Sequence, residues 1–311
     1  MREWKIIIHT VIQLPIGVDI NNLIDDLRIF SWEAADVLLF YSQKIKDLNY
    51  KSEIIKGKKD DPVTLADLKV NELIIERINN KYQNIPWEIL SEENYKVQPN
   101  NCDLKSKWLW VLDPLDGTKD FIQDTGNYAM HLALNFEQKP HLGIVLIPER
   151  DELWISNGNK VWCEKRDGTY KEINTSKKSN LEKMTLVTSK NNSNTKLKQL
   201  IDKVNFMKVV VMGSIGCKIA SIIRGDCDVY ISLSLPGKSS PKDWDFAAPD
   251  AILRAAGGAI TNLRNQELIY GTNTLDHSGV IIASNNKQNH KKICSQIEEI
   301  IKKYEILDLS N

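Results

Sequence analysis

With 311 residues, the chain is long enough for one large domain or two ordinary ones, each with a sizeable core, so size places no bar against an enzyme. Lysine plus arginine and aspartate plus glutamate both total 41; this zero formal charge argues against the broad basic surface that a nucleic-acid polymer needs. The five cysteines (Cys102, Cys163, Cys217, Cys227, Cys294) are odd in number, scattered and never spaced as CxxC, which argues against a disulfide framework or zinc knuckle and fits a reducing cytoplasm.

Residues 1–18 read as an N-terminal extension or edge strand whose role is not legible. Their apolar stretch is broken by His9, Gln13 and Pro15, is shorter than the ~20 residues of a membrane span, and lacks a cleavage pattern. From Asp19 to Leu48, apolar residues at helical spacing (Leu23, Leu27, Phe30, Ala34, Leu38) predict an amphipathic helix. A second helix is expected from about Leu65 to Tyr82, with Thr64 as its cap. Trp87 to Leu90 is an apolar run. Trp108 to Leu112, Tyr128 to Asn135, His141 to Ile147 and Glu152 to Ser156 are short, apolar and bounded by turn residues, as expected of strands in one sheet.

Past the polar stretch Thr175 to Leu181 the pattern changes to strand (Met184 to Thr188), helix (Asn194 to Val204), strand (Lys208 to Met212), helix (Ile215 to Ile223) and strand (Asp228 to Ile231). That alternation is an α/β signature. A helix from Phe246 to Ala256, stopped by Gly257 and Gly258, a strand from Gly279 to Ala283 and a helix from about Lys291 to Lys303 complete the chain. The expected division is an α+β half at 19–180 and an α/β half at 181–311, packed together.

Acids stand at the ends of several of these elements. The stretch WLWVLDPLDGTKDF drives an apolar strand into Asp113 and Asp116, with Pro114 fixing one backbone angle and Gly117 allowing a tight bend. Both carboxylates can then face one point, and the Leu115 carbonyl can add an oxygen, which suits a hard divalent cation. Taken alone, D-P-x-D-G is only a turn. Glu92 and Glu93 follow the run Trp87 to Leu90 and alone read as a solvated loop. Asp245 alone reads as an N-cap, and Asp61, Thr64 and Asp67 alone read as capping residues. Together, four such motifs are harder to assign to capping.

DPVTLADLKVNELI, LSEEN, WVLDPLDGTKDF and KDWDFAAPDAILRAAGG stand in the order and spacing of the lithium-sensitive, magnesium-dependent inositol monophosphatase superfamily, which the chain resembles from about Asp19 to Asn285. The lysine after DPLDGT and the region of Lys218 most resemble its 3'(2'),5'-bisphosphate nucleotidase (CysQ-type) branch. The resemblance implies an αβαβα sandwich, an α/β fold with the site between the halves. It also implies two or three Mg²⁺ ions on Glu92, Asp113, the Leu115 carbonyl, Asp116 and Asp245. Thr118 would hold the attacking water with Asp67 as its partner, supported by Thr64 and Asp61, so that Asp67, Thr118 and Glu92 form the catalytic set. Substrate contacts are implied for Gly117, Thr118, Lys119, Gly216, Lys218 and Asp245.

The implied partner is a small phosphate ester, with no nucleic-acid polymer, and a homodimer is compatible because dimers occur in the superfamily. Adenosine 3',5'-bisphosphate, hydrolysed to AMP beside sulfate assimilation, is the leading substrate. Lys119, Lys218, Lys238 and Lys242 are the candidate anchors for its second phosphate. The alternatives are an inositol phosphate or fructose bisphosphate phosphatase and, more distantly, a non-catalytic metal or nucleotide sensor. Two departures bear on this: Ser232 stands where inositol phosphatases carry an acid and the nucleotidase branch often arginine, and Pro249 stands where the family commonly has glycine. The GSIGCK stretch lacks P-loop spacing, and no histidine or cysteine is assigned a catalytic role.

Overall fold

A computed structural model describes residues 14–47, 55–58, 61–99, 104–171, 173, 178–189, 195–235 and 238–308, with only the backbone of 55–58, 61, 62 and 171. Most of the N-terminal extension lies outside these residues. Its last part, 14–18, is a turn rather than a strand, and Leu14 and Val18 rest on the core beside the first helix.

Helix α1 (Ile20–Lys46) begins at Asp19, whose carboxylate accepts from the Asn21 and Asn22 amides at 3.0 and 2.9 Å. Strands β1 (Ile55–Lys58) and β2 (Asp61–Thr64) pair antiparallel and lead into α2 (Leu65–Lys81). There Thr64 and Asp67 form a capping box, each satisfying the other's backbone amide. Next come β3 (Trp87–Ser91), the short α3 (Glu92–Val97), β4 (Trp108–Asp116), the short α4 (Thr118–Ile122), β5 (Ala129–Phe136), β6 (Lys139–Ile147), β7 (Glu152–Ser156), β8 (Val161–Glu164) and β9 (Tyr170–Lys171). Strands β3 to β9 form one seven-stranded sheet in chain order. Only the β3–β4 pair is parallel.

The second half comprises β10 (Thr185–Thr188), α5 (Thr195–Val204), β11 (Lys208–Val211), α6 (Ile215–Ile223), β12 (Val229–Ser234), α7 (Asp243–Ala255), β13 (Ala259–Asn262), β14 (Gly279–Ser284) and α8 (Lys287–Lys303). Its five-stranded sheet runs β11-β10-β12-β14-β13. Strand β10 lies parallel to β11 and β12, and β14 lies antiparallel to β12 and β13.

Three apolar clusters stack these elements into five layers. Trp110, Leu112, Leu132 and Ile144 of the large sheet meet Leu27, Ala34 and Ile74 of α1 and α2. Leu109, Val111, Ala133 and Val145 face the other way, onto α6 and α7, which also cover Val187, Tyr230 and Ala283 of the small sheet. Leu186, Ile231 and Ile282 face Leu197, Leu200, Ile293 and Ile297 of α5 and α8. The order is therefore αβαβα, and β4 is apolar at consecutive positions because both of its faces are covered. Trp110 is fully buried, and truncating such a side chain to alanine costs about 3–5 kcal/mol.

Several bounds differ from those expected. Helix α7 starts at Asp243 rather than Phe246, so Asp245 is its third residue and accepts the Lys242 amide at 2.7 Å instead of being the N-cap. Helix α8 starts at Lys287, and β1, β2, β8, β9 and β13 had no distinct apolar signal. Among the described residues no helix is long and apolar enough to cross a membrane.

Candidate active site

Asp113 and Asp116 are three apart and would point to opposite faces of a regular strand. Strand β4 avoids this with a bulge: Asp113 pairs with His131 but Asp116 pairs with Ala129, so three steps on β4 span two on β5. Asp113 Oδ1 also accepts the Leu115 amide at 3.0 Å, which holds the turn around Pro114. Asp245 arrives from the first turn of α7. Carboxylate oxygens of Asp113, Asp116 and Asp245 lie within 4.8 Å of one another, Asp113 buried and the other two half-buried.

Burial and the neighbouring charges of Glu92, Asp116 and Asp245 push the Asp113 carboxyl well above its ordinary range. Burial, then Asp116 and Glu92, do the same to Asp245. Parallel pairing of Ser91 with Leu112 delivers Glu92 beside this cluster, where its charge acts on Asp113 and its carboxylate accepts from Lys96 Nζ at 2.9 Å. Tyr95 of α3 packs against Trp244 of α7, ring centroids 5.3 Å apart, so the helices carrying Glu92 and Asp245 touch. At the first residue of α7, Asp243 is fully buried and 2.9 Å from His277 Nε2, tying the loop before β14 to the start of the helix.

Asp67 of α2 reaches Thr118 at the start of α4. Thr118 Oγ1 is 3.3 Å from Asp67 Oδ1 and 3.1 Å from the Leu115 carbonyl, and its single hydrogen goes to one of them at a time. Asp67 Oδ2 accepts the Thr64 amide at 2.7 Å and the Thr64 hydroxyl. Burial raises its pKa to about 7 despite those hydrogen bonds, with Glu93 and Glu92 adding to the shift. The side chain of Asp61 lies outside the described residues.

Gly117 has φ +89°, and a Cβ there would fall 2.9 Å from the Asn127 carbonyl oxygen and 3.1 Å from the Ser214 nitrogen, so a side chain is excluded. The GSIGCK segment opens α6 directly onto Asp116. Asp116 Oδ2 accepts from Ser214 Oγ at 2.8 Å, from the Ile215 amide, and from the Gly216 amide at 3.3 Å. A Cβ on Gly216 would meet His131 Nε2 at 2.3 Å.

The lysines separate. Lys218 is 3% exposed, with its ammonium 5.7 Å from the Tyr230 ring. Burial depresses its pKa, and Asp116, Asp120 and Asp245 partly offset this. Lys119 is half-buried beside Thr118, Lys238 is exposed, and Lys242 is paired with Asp276 at 2.7 Å.

Sequence reasoning missed Ser214 and His131. His131 is wholly buried opposite Asp113, its Nδ1 donating to the Trp244 carbonyl at 3.3 Å and its Nε2 3.3 Å from Asp116 Oδ2. Neither has a spacing signal, because both meet Asp116 only through the tertiary fold. The donor set of close, mutually repelling carboxylate oxygens fits a hard divalent cation.

The model of the inositol monophosphatase family matches residues 26–302. The 3'(2'),5'-bisphosphate nucleotidase CysQ of Buchnera aphidicola is 30% identical over 234 residues, covering 75% of this chain and 80% of that protein. CysQ of Escherichia coli strain K12 is 25% identical over 250 residues, covering 80% and 94%. Among solved structures, the Thermotoga maritima IMPase matches with a TM-score of 0.69 at 20% identity, covering 92% of this chain and 100% of that one. This last likeness shows a shared fold.

Proposed function

The chain belongs to the inositol monophosphatase family, and from that premise we propose that it is a Mg²⁺-dependent phosphomonoesterase acting on a 3'(2'),5'-bisphosphate nucleotide. The observation that carries the reading is the meeting of Asp113, Asp116 and Asp245 within 4.8 Å. With Glu92 and the Leu115 carbonyl they would hold two or three ions. When bound, these ions neutralise phosphoryl charge and lower the pKa of a bound water.

The chain's own groups do the rest. Thr118 Oγ1, donating to Asp67 Oδ1, turns its lone pairs toward an attacking water. Asp67, raised to about 7, is poised between accepting and releasing a proton near neutral pH. Water adds to phosphorus as the ester oxygen leaves, so adenosine 3',5'-bisphosphate gives AMP and inorganic phosphate.

The bisphosphate reading draws on the curated relatives, which carry that name, and on two lysines as anchors for a second phosphate: Lys218, which feels the charges of Asp116 and Asp245, and Lys119, next to Thr118 in the chain. Phosphate release would be measured with Mg²⁺ and with chelator, on adenosine 3',5'-bisphosphate, inositol 1-phosphate and fructose 1,6-bisphosphate side by side. Metal-dependent release, highest kcat/KM on the nucleotide, is expected, with inhibition by lithium. Release unaffected by chelator sinks the metal reading, and a preference for a sugar phosphate sinks the substrate.

A further inference from the structure

Ser214 is the N-cap of α6, yet its backbone is held at φ 35° and ψ 127°, a region where a residue bearing a Cβ is strained. Capping alone does not explain a serine here. Glycine caps a helix almost as well and would relieve the strained angle. The side chain therefore does something that glycine could not.

Its hydroxyl has one hydrogen, and it goes to Asp116 Oδ2 at 2.8 Å, while the oxygen accepts the Cys217 amide at 3.2 Å. The group is 4% exposed, so water does not compete for it. The same Oδ2 takes the Ile215 and Gly216 amides and faces His131, whose ring is fixed by the Trp244 carbonyl. Among the described residues, the hydrogen bonds and the ion-pair contact of the Asp116 carboxylate all fall on this one oxygen.

We propose that Ser214 is a positioning residue for the metal ligand Asp116. Its hydroxyl pins one carboxylate oxygen against the start of α6, leaving the other turned to Asp113 and Asp245. The strained angle is retained because a serine hydroxyl is required there. The proposal rests on the reading of the acid cluster as a metal site. It also ties the GSIGCK segment, which is in the second half of the chain, to a ligand in the first.

The test measures Mn²⁺ binding to the full chain, by the loss of the free-ion paramagnetic signal, and melting of the metal-free protein, for wild type, Ser214→Gly and Ser214→Thr. Ser214→Gly should melt at or above the wild-type temperature and yet bind Mn²⁺ about tenfold more weakly, the lower end of what loss of a ligand's hydrogen-bond partner costs. Ser214→Thr keeps the hydroxyl but adds a β-branch at the strained angle, so it should melt lower and bind near the wild-type affinity. A merely structural serine would move both readouts together. Wild-type affinity in Ser214→Gly overturns the proposal, as does equal loss in both variants; if Ser214→Thr does not fold, Ser214→Gly decides alone. A wild-type protein that binds no Mn²⁺ overturns the metal site itself, whereas one that binds it without releasing phosphate overturns only the proposed reaction.

Discussion

Burial has opposite consequences for two of the buried polar clusters in this molecule. At the edge of the small sheet, His290 of α8 is 1% exposed and has partners for both ring nitrogens: Thr261 Oγ1 at 2.8 Å from Nε2 and Ser284 Oγ at 2.8 Å from Nδ1. Burial depresses its pKa to about 4, so the neutral ring is what the cluster stabilises. Between the sheets, Asp113 and Asp245 are also pushed toward neutrality, but their neighbours are further carboxylates. The first cluster is satisfied by hydroxyls and staples α8 to β13 and β14. The second is left in conflict that a cation would resolve, and the proposed metal site rests on that conflict.

The comparison breaks most sharply if the acids prove structural. Asp113→Asn should lower phosphatase turnover by at least ~10³-fold, about 4 kcal/mol of transition-state stabilisation, while the metal-free fold keeps or gains melting temperature because a repelling charge is gone. A folded variant with near wild-type turnover would falsify the assignment.

Next in size are opposing pH slopes. Asp67 has a raised folded pKa, so in metal-free protein its contribution is fully present below about 3.8 and is lost as pH rises toward about 7. His290 has a depressed folded pKa, so its contribution is present above 6.5 and is lost as pH falls toward about 4. At ~1.4 kcal/mol per pH unit these amount to about 4 and about 3 kcal/mol. They oppose one another between pH 4 and 6.5, where the raised Asp113 and Asp245 add to the fall with rising pH, so Asp67→Asn should make the pH slope of stability more positive than that of wild type by up to ~1.4 kcal/mol per unit. Urea denaturation of metal-free protein across this range checks it; a pH slope left unchanged by Asp67→Asn would count against the Asp67 contribution.

Metal should then stabilise one cluster only. At a hundred times its Kd, Mg²⁺ adds about 2.7 kcal/mol to unfolding. That increment should vanish in Asp113→Asn and persist in Thr261→Val, as read by denaturation with and without metal. The smallest effect belongs to Thr261→Val itself, which removes one hydrogen bond to His290. It should cost about 1–2 kcal/mol of stability and leave phosphatase kinetics unchanged.

Much of this architecture was legible residue by residue. The period of Leu23, Leu27, Ala34 and Leu38 marks α1 because one helical face meets the large sheet. Glu152 to Ser156 was bounded correctly because turn residues flank it on both sides. The start of α7 was misplaced, since its N-cap is Lys242, a residue type that gives no capping signal, while Asp245 resembles a cap from sequence alone. Strands β8, β9 and β13 were overlooked because they are short and take their order from pairing with their neighbours.

The sequence by itself determined which acids end which apolar elements, because helical and strand periods, turn residues and capping pairs such as Thr64 with Asp67 are local and written in the spacing. Only the tertiary structure decided that a bulge turns Asp113 and Asp116 the same way, that Glu92 and Asp245 reach them through contacting helices, and that Ser214, 98 residues beyond Asp116, holds its second oxygen. Spacing encodes the backbone's own repeat. Which distant polar groups share a dry interior depends on how whole layers pack, and no local repeat records that.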